Sequence, residues 1–147
     1  MKISTKLRYG LRAMIDLGMN EDKSAVLVKS IARRQEISKK YLDNLLGGLK
    51  SAGLVRSIRG AKGGYVLAKP MDRITVYDIA IALEGPPVFL DCVKDPSCCD
   101  RSENCVAYEF WGQLSEAVMN LLRKTTLKEL VERQKKKQEE KSLMYYL

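Results

Sequence analysis

The sequence predicts a mainly α fold with a small β-wing, completed by a long C-terminal helix. Three observations carry that prediction. Apolar residues recur at helical spacing, with start and stop signals, up to Gly53; two short β-prone runs flank Arg59-Gly60-Ala61-Lys62-Gly63-Gly64; and a broad apolar stripe runs from Phe110 to Leu122. At 147 residues the chain can bury one real core and is too short for two full-sized domains. With 46% hydrophobic and 30% charged residues it is globular rather than disordered.

In residues 3–19, Leu7, Leu11, Met14, Ile15 and Leu17 share one helix face, and Asn20 to Ser24 is a polar break. Val28 to Arg34 reads as a short second helix with Ile31 and Ala32 inward. After Gln35-Glu36, Ser38 can cap the free N–H groups of a third helix, with Ile37 and Leu42 at the two positions of a hydrophobic staple. Tyr41, Leu42, Leu45, Leu46 and Leu49 line one side of that helix, and Gly53 is its stop. Leu54 to Ile58 and Tyr65 to Ala68 have strand character and form a hairpin with a charged tip, closed by Pro70.

Thr75, with Asp78 three residues on, starts a helix over Val76–Leu83, which Gly85-Pro86-Pro87 stops. Residues 88–104 show no period and read as a cysteine-bearing loop. Helix resumes near Cys105 or Val106, where Phe110, Trp111, Leu114, Val118, Leu121 and Leu122 form the stripe, assigned to core or dimer interface. Thr126 with Glu129 is a further start signal, and the highly charged run from Arg133 to Lys141 is expected to fray. The organisation expected is a DNA-binding unit over 1–85, a cysteine loop over 86–104, a dimerisation helix region over 105–132 and a charged tail over 133–147.

Charge is unevenly spread. Fifteen of the 26 Lys and Arg but only five of the 18 Asp and Glu lie in residues 1–70. A basic half suggests a polyanionic partner, although charge alone separates neither DNA from RNA nor either from an anionic membrane surface. The chain has no histidine, which removes His-based acid–base chemistry, Ser–His and Cys–His nucleophile pairs and mixed Cys/His metal sites. No Gly-rich phosphate loop is present, so an enzyme is a poor reading. No apolar run reaches 18 residues and the first ten lack a signal-peptide core, so a cytoplasmic protein is expected.

A short helix, a turn, a longer helix and a basic-tipped hairpin form the order of a winged helix-turn-helix. The major groove admits one α-helix whose first turns reach base edges. Here those turns carry Ser38, Lys39, Lys40, Tyr41, Asp43 and Asn44, while Arg56, Arg59 and Lys62 of the wing can reach phosphates or a minor groove. Taken singly, Lys39 and Lys40 are equally well solvated surface charges, and 59–64 an ordinary turn. Together with the basic half they favour duplex DNA.

The run Ile37-Ser38-Lys39-Lys40-Tyr41-Leu42, continued by Gly53-Leu54-Val55, Arg59-Gly60 and Gly63-Gly64-Tyr65, resembles the IscR-type winged-helix regulators, which include the NsrR and CymR branches. The opening Met1-Lys2-Ile3-Ser4 with Arg8-Tyr9, and Asp78-Ile79 with Glu84-Gly85, are similar too, so the resemblance spans about residues 1–130. It implies a homodimer whose long C-terminal helix crosses onto the partner, and a palindromic operator. It also implies that Ser38, Lys40, Tyr41 and Asp43 face the major groove and that Arg59 enters the minor groove.

All four cysteines lie within 92–105. Clustered thiols in a reducing compartment read as metal ligands or redox groups before disulfides. Spacings of five or six residues are too wide for paired CxxC zinc ligands and suit a larger centre such as an iron–sulfur cluster. In the resembling family three cysteines of such a loop hold that cluster, which implies Cys92, Cys99 and Cys105, with Cys98 as alternative or fourth ligand; 2Fe–2S and 4Fe–4S both stay open. The IscR histidine position is Tyr108 here, and the NsrR aspartate position is Arg8, so the fourth ligand is Cys98, a carboxylate, a small thiol or water. The reading is a homodimeric repressor responding to cluster status, iron, nitric oxide or redox state. Its alternatives are a cluster-free regulator controlled by a metabolic-enzyme partner, and a thiol redox or metal-binding protein.

Overall fold

The computed structural model describes residues 2–22, 24–87 and 89–147. Met1, Lys23 and Val88, which belong to the opening motif, the polar break and the cysteine segment, lie outside the described residues. The chain runs through α1 (Thr5–Met19), α2 (Val28–Gln35), α3 (Lys39–Ser51), strands β1 (Val55–Ile58) and β2 (Gly64–Leu67), α4 (Val76–Glu84), the single turn α5 (Asp91–Lys94), α6 (Val106–Lys124) and α7 (Leu127–Tyr146). Short 3-10 turns cover Met71–Arg73, Pro96–Cys98 and Ser102–Asn104.

The local signals act as their chemistry demands. The Ser38 hydroxyl accepts from the Tyr41 N–H at 3.2 Å, and Ile37 and Leu42 are both buried beneath the α3 start. Beyond α3, Gly53 adopts φ 75°, and its N–H and that of Leu54 reach the Lys50 and Leu49 carbonyls at 3.0 Å each. That pair of bonds is a Schellman stop, and it turns the chain directly into β1. At α4 the capping box is complete: Asp78 N–H donates to Thr75 Oγ1 at 3.1 Å and Thr75 N–H to Asp78 Oδ2 at 2.9 Å.

One core joins these elements. Leu42, Leu45, Leu46 and Leu49 of α3 are fully buried against Met14 and Leu17 of α1, Ile31 of α2 and Ile79 and Leu83 of α4. At about 1.5–3 kcal/mol per buried large aliphatic side chain, the leucine face is the main apolar anchor of α3. Helix α7 returns to the same core through Leu127 and Val131. Its approach to α1 is so close that a Cβ on Gly18 would stand 2.5 Å from Val131 Cγ2.

Two expectations are corrected. The run from Arg133 to Lys141, expected to fray, is helical: α7 continues unbroken for 20 residues. Thr126 caps it by accepting from the Glu129 N–H, no Gly or Pro interrupts it, and Lys, Glu, Gln and Arg are strong helix formers. The cysteine segment, expected as irregular loop, holds α5 and two 3-10 turns. The C-terminal helical region is two helices, broken at Thr125 and Thr126, where Thr126 pairs with Thr75.

Candidate nucleic-acid interface and thiol segment

Helix α3 has two chemically opposite faces. One is the buried leucine row. The other presents Ser38, Lys39, Lys40, Asp43 and Asn44 to solvent, with Tyr41 half-buried at the edge. Lys39 Nζ and Asp43 Oδ2 form an i,i+4 ion pair at 2.9 Å on this face, so Lys39 is partly neutralised before any polyanion arrives. Tyr41 meets Tyr9 of α1 edge to face, ring centroids 6.0 Å apart, and the Arg8 and Arg12 guanidinium carbons lie 5.6 and 5.3 Å from the Tyr9 centroid. The α1 face beside the recognition helix is therefore cationic, which sequence reading did not single out.

The wing is the antiparallel pair β1–β2, in register Val55↔Leu67 through Ile58↔Gly64. Arg56 stands exposed on β1, and Arg59 and Lys62 stand exposed on the tip. The Gly63 N–H closes the tip on the Gly60 carbonyl at 3.0 Å. Tyr65 and Val26 exchange two main-chain hydrogen bonds of 2.9 Å each, which ties the wing to the segment before α2. Gly64 permits this contact: at φ 151°, a Cβ there would lie 2.3 Å from the Val26 carbonyl oxygen.

Sequence reading also missed a buried acid. Asp16 is nearly fully enclosed on α1, and Arg34 grips it through Nε–Oδ2 at 2.9 Å and Nη2–Oδ1 at 2.6 Å. Gln35 Nε2 adds a third donor at 3.0 Å. Hydrogen bonding to Asp16 raises the Arg34 pKa, keeping the guanidinium charged. A carboxylate amid Met14, Ile15 and Leu17 is the one signal that pointed to it, since a buried charge must find a partner.

The thiols are spread over several short elements. Cys92 lies on α5, Cys98 ends the Pro96 turn, Cys99 follows it, and Cys105 caps α6 by accepting from the Tyr108 N–H at 3.4 Å. The Asp95 carboxylate accepts from Ser97 Oγ at 2.6 Å and Ser97 N–H at 3.0 Å, which lowers its pKa. The Cys98 thiol is exposed but its pKa is raised, by partial desolvation first and then by the negative neighbours Cys92, Asp95, Asp91 and Cys99. Among the described residues no three Cys, Asp, Glu or His side chains converge on a point that could hold a metal ion. Cys92 and Cys99 both lie near enough to Cys98 to act on its thiol, while Cys105 stands at the start of α6.

A buried-backed helix with a polar outer face, followed by a strand hairpin carrying cations at its tip, defines a winged-helix DNA-binding regulator. The chain belongs to the Rrf2 family: the family model described as an iron-dependent transcriptional regulator matches residues 3–133. It is similar to the HTH-type transcriptional regulator CymR of Bacillus subtilis, 41% identical over 147 residues and covering all of both chains. The solved structure of that CymR, described as the global cysteine regulator of B. subtilis, superposes with a TM-score of 0.77 over 90% of this chain and 98% of the other. The structure of T. potens IscR superposes with a TM-score of 0.75 at 36% identity, over 90% of this chain and 88% of the other. These relatives are transcription regulators, not enzymes. Among the described residues no helix is long and apolar enough to cross a membrane.

Proposed function

We propose that this chain is a homodimeric repressor that binds a palindromic operator through α3 and the wing and takes its signal at the thiol segment. The observation that carries the DNA reading is the division of α3, four fully buried leucines on one side and Ser38, Lys39, Lys40, Asp43 and Asn44 exposed on the other. In this reading Ser38, Lys40, Tyr41 and Asp43 meet base edges, Lys39 and Asn44 flank them, Arg59 enters a minor groove, and Arg56 and Lys62 contact phosphates. The unit over 1–85 reads DNA, 86–104 receives the signal, and 105–132 pairs the protomers. Dimerisation is supported by exposed Val106, Phe110 and Leu121 on α6, an apolar face a lone protomer leaves in water.

For the signal we retain an iron–sulfur cluster on Cys92, Cys99 and Cys105, supported by the family's description as iron-dependent. The likeness to CymR supports a second reading, a cluster-free regulator of the same fold controlled by a metabolic-enzyme partner, or else a thiol redox or metal-binding protein. Anaerobic reconstitution followed by absorption spectroscopy, iron and sulfide analysis and selection of bound duplexes from a random pool tests both. Selection of a two-fold symmetric site supports the DNA reading, and absence of any selected duplex overturns it. A colourless, iron-free protein that still selects the site supports the cluster-free form.

A further inference from the structure

Three helices meet at a polar cleft of about 520 Å³, within the range of small-molecule sites. Successive turns of α1 form its floor, where Arg12 and Asp16 alternate with Ile15 and Met19. The end of α2 forms one wall through Arg34 and Gln35, and Gln134 and Gln138, one turn apart on α7, face them. The charges do not balance. Arg34 is spent on Asp16, but both hydrogen bonds of Arg12 go to neutral acceptors: its Nε donates to Gln35 Oε1 at 3.2 Å and its Nη2 donates to the Gln35 carbonyl. Gln134 and Gln138 have no side-chain hydrogen-bond partner among the described residues. One unneutralised guanidinium, two free amides and an apolar strip at Ile15 and Met19 are the complement of a small organic carboxylate.

We propose that this cleft is an effector site for a small carboxylate, held by Arg12 and by the amides of Gln134 and Gln138. The site is placed to affect DNA reading. Gln35 is the last residue of α2, Glu36 follows with a left-handed backbone at φ 55°, and Ser38 caps the recognition helix. A carboxylate bridging Arg12 to α7 ties the C-terminal helix to that turn, so occupancy and operator affinity are linked reciprocally.

The test is isotope-edited NMR of the full-length protein, titrated with succinate, acetate and glycine as probes against sodium chloride at matched ionic strength. Saturable shifts of the Arg12 Nε–H and of the Gln134 and Gln138 amides with at least one carboxylate are expected, and chloride should produce none. Gln138→Leu makes no hydrogen bond to lose and lies on a solvent-facing turn, so it should fold normally and weaken the probe by about tenfold, the weight of one charge-assisted hydrogen bond. Arg12→Gln should abolish saturation. Arg59→Ala, on the wing, should leave it unchanged. No saturable shift with any probe, or equal affinity in wild type and Gln138→Leu, overturns the proposal.

Discussion

Asp16 and Arg34, 18 residues apart, form a two-point ion pair of 2.6 and 2.9 Å that joins the middle of α1 to the last turn of α2. The two partners differ in burial, Asp16 enclosed and Arg34 about one third exposed. Removing Arg34 leaves a carboxylate in the core, whereas Asp16→Asn leaves a guanidinium that can turn to water. Arg34→Ala should cost about 2–3 kcal/mol, below a fully buried pair because of its exposure, and Asp16→Asn about 1–2 kcal/mol. Urea unfolding of both single variants and the double should return a coupling above about 1 kcal/mol; additive losses would show that the pair contributes no more than its parts.

At the DNA face, Arg59→Ala should lose about 1–3 kcal/mol of specific operator binding. Lys39→Ala should weaken all sequences alike and lower the salt slope by about one. Asp43→Asn removes a negative charge and frees Lys39, so non-specific affinity should rise and its salt slope steepen. Equilibrium titrations on operator and scrambled duplexes at several salt concentrations measure all three. An unchanged operator affinity in Arg59→Ala would remove the wing from the interface.

Helix α6 should hold the dimer. Leu114→Glu combined with Leu121→Glu places two carboxylates in the apolar face, where unpaired burial is unfavourable. Sedimentation should then show monomer or aggregate, and binding to a two-half-site operator should lose cooperativity. A folded wild-type monomer at micromolar concentration would contradict the assignment.

The four thiols should divide by role. Cys92→Ala, Cys99→Ala and Cys105→Ala should each abolish stable cluster loading, while Cys98→Ala retains the visible spectrum and most of the iron. Loss in Cys98→Ala with retention in Cys99→Ala would reverse that ligand choice. Cys98 should also alkylate slowly for an exposed thiol. Partial desolvation and then its negative neighbours raise its pKa, so its thiolate fraction at neutral pH is below that of a free cysteine. Iodoacetamide rates measured from pH 7 to 10 on a variant keeping only Cys98 should show a lower midpoint than Cys98 has in the full set, because removing Cys92 and Cys99 removes two of its negative neighbours.

Gly64→Ala should disrupt the wing. Its Cβ would meet the Val26 oxygen, and the residue would hold a backbone angle that L side chains rarely adopt. A cost of about 1–3 kcal/mol and faster amide exchange at Tyr65 and Val26 are expected. A wild-type melting temperature would show that the segment before α2 yields freely.

The reading unit was legible because its signals are local. Ser38 with Ile37 and Leu42, Thr75 with Asp78, and the glycines around Arg59 each act within a few residues, and the leucine period of α3 exposes its face directly. The Asp16–Arg34 pair was not legible, since nothing local names the partner of a carboxylate. The continuation of α7 was hidden for another reason: charge run alone suggests fraying, and docking of Leu127 and Val131 against α1 supplies the anchoring that a polar helix lacks by itself. The thiol spacing marked a special segment, yet spacing along the chain does not determine convergence in space.

Thr75 and Thr126, each capping its own helix, lie side by side, and two main-chain bonds clasp them: Val76 N–H to the Thr125 carbonyl at 3.0 Å and Leu127 N–H to the Ile74 carbonyl at 2.7 Å. Everything from 76 to 125 is therefore a ring whose ends are buckled together at the core. The thiol segment and α6 both lie within that ring, between two ends that the core holds together. The wing, at 55–67, lies outside that ring and is held instead by its own ladder and by Val26.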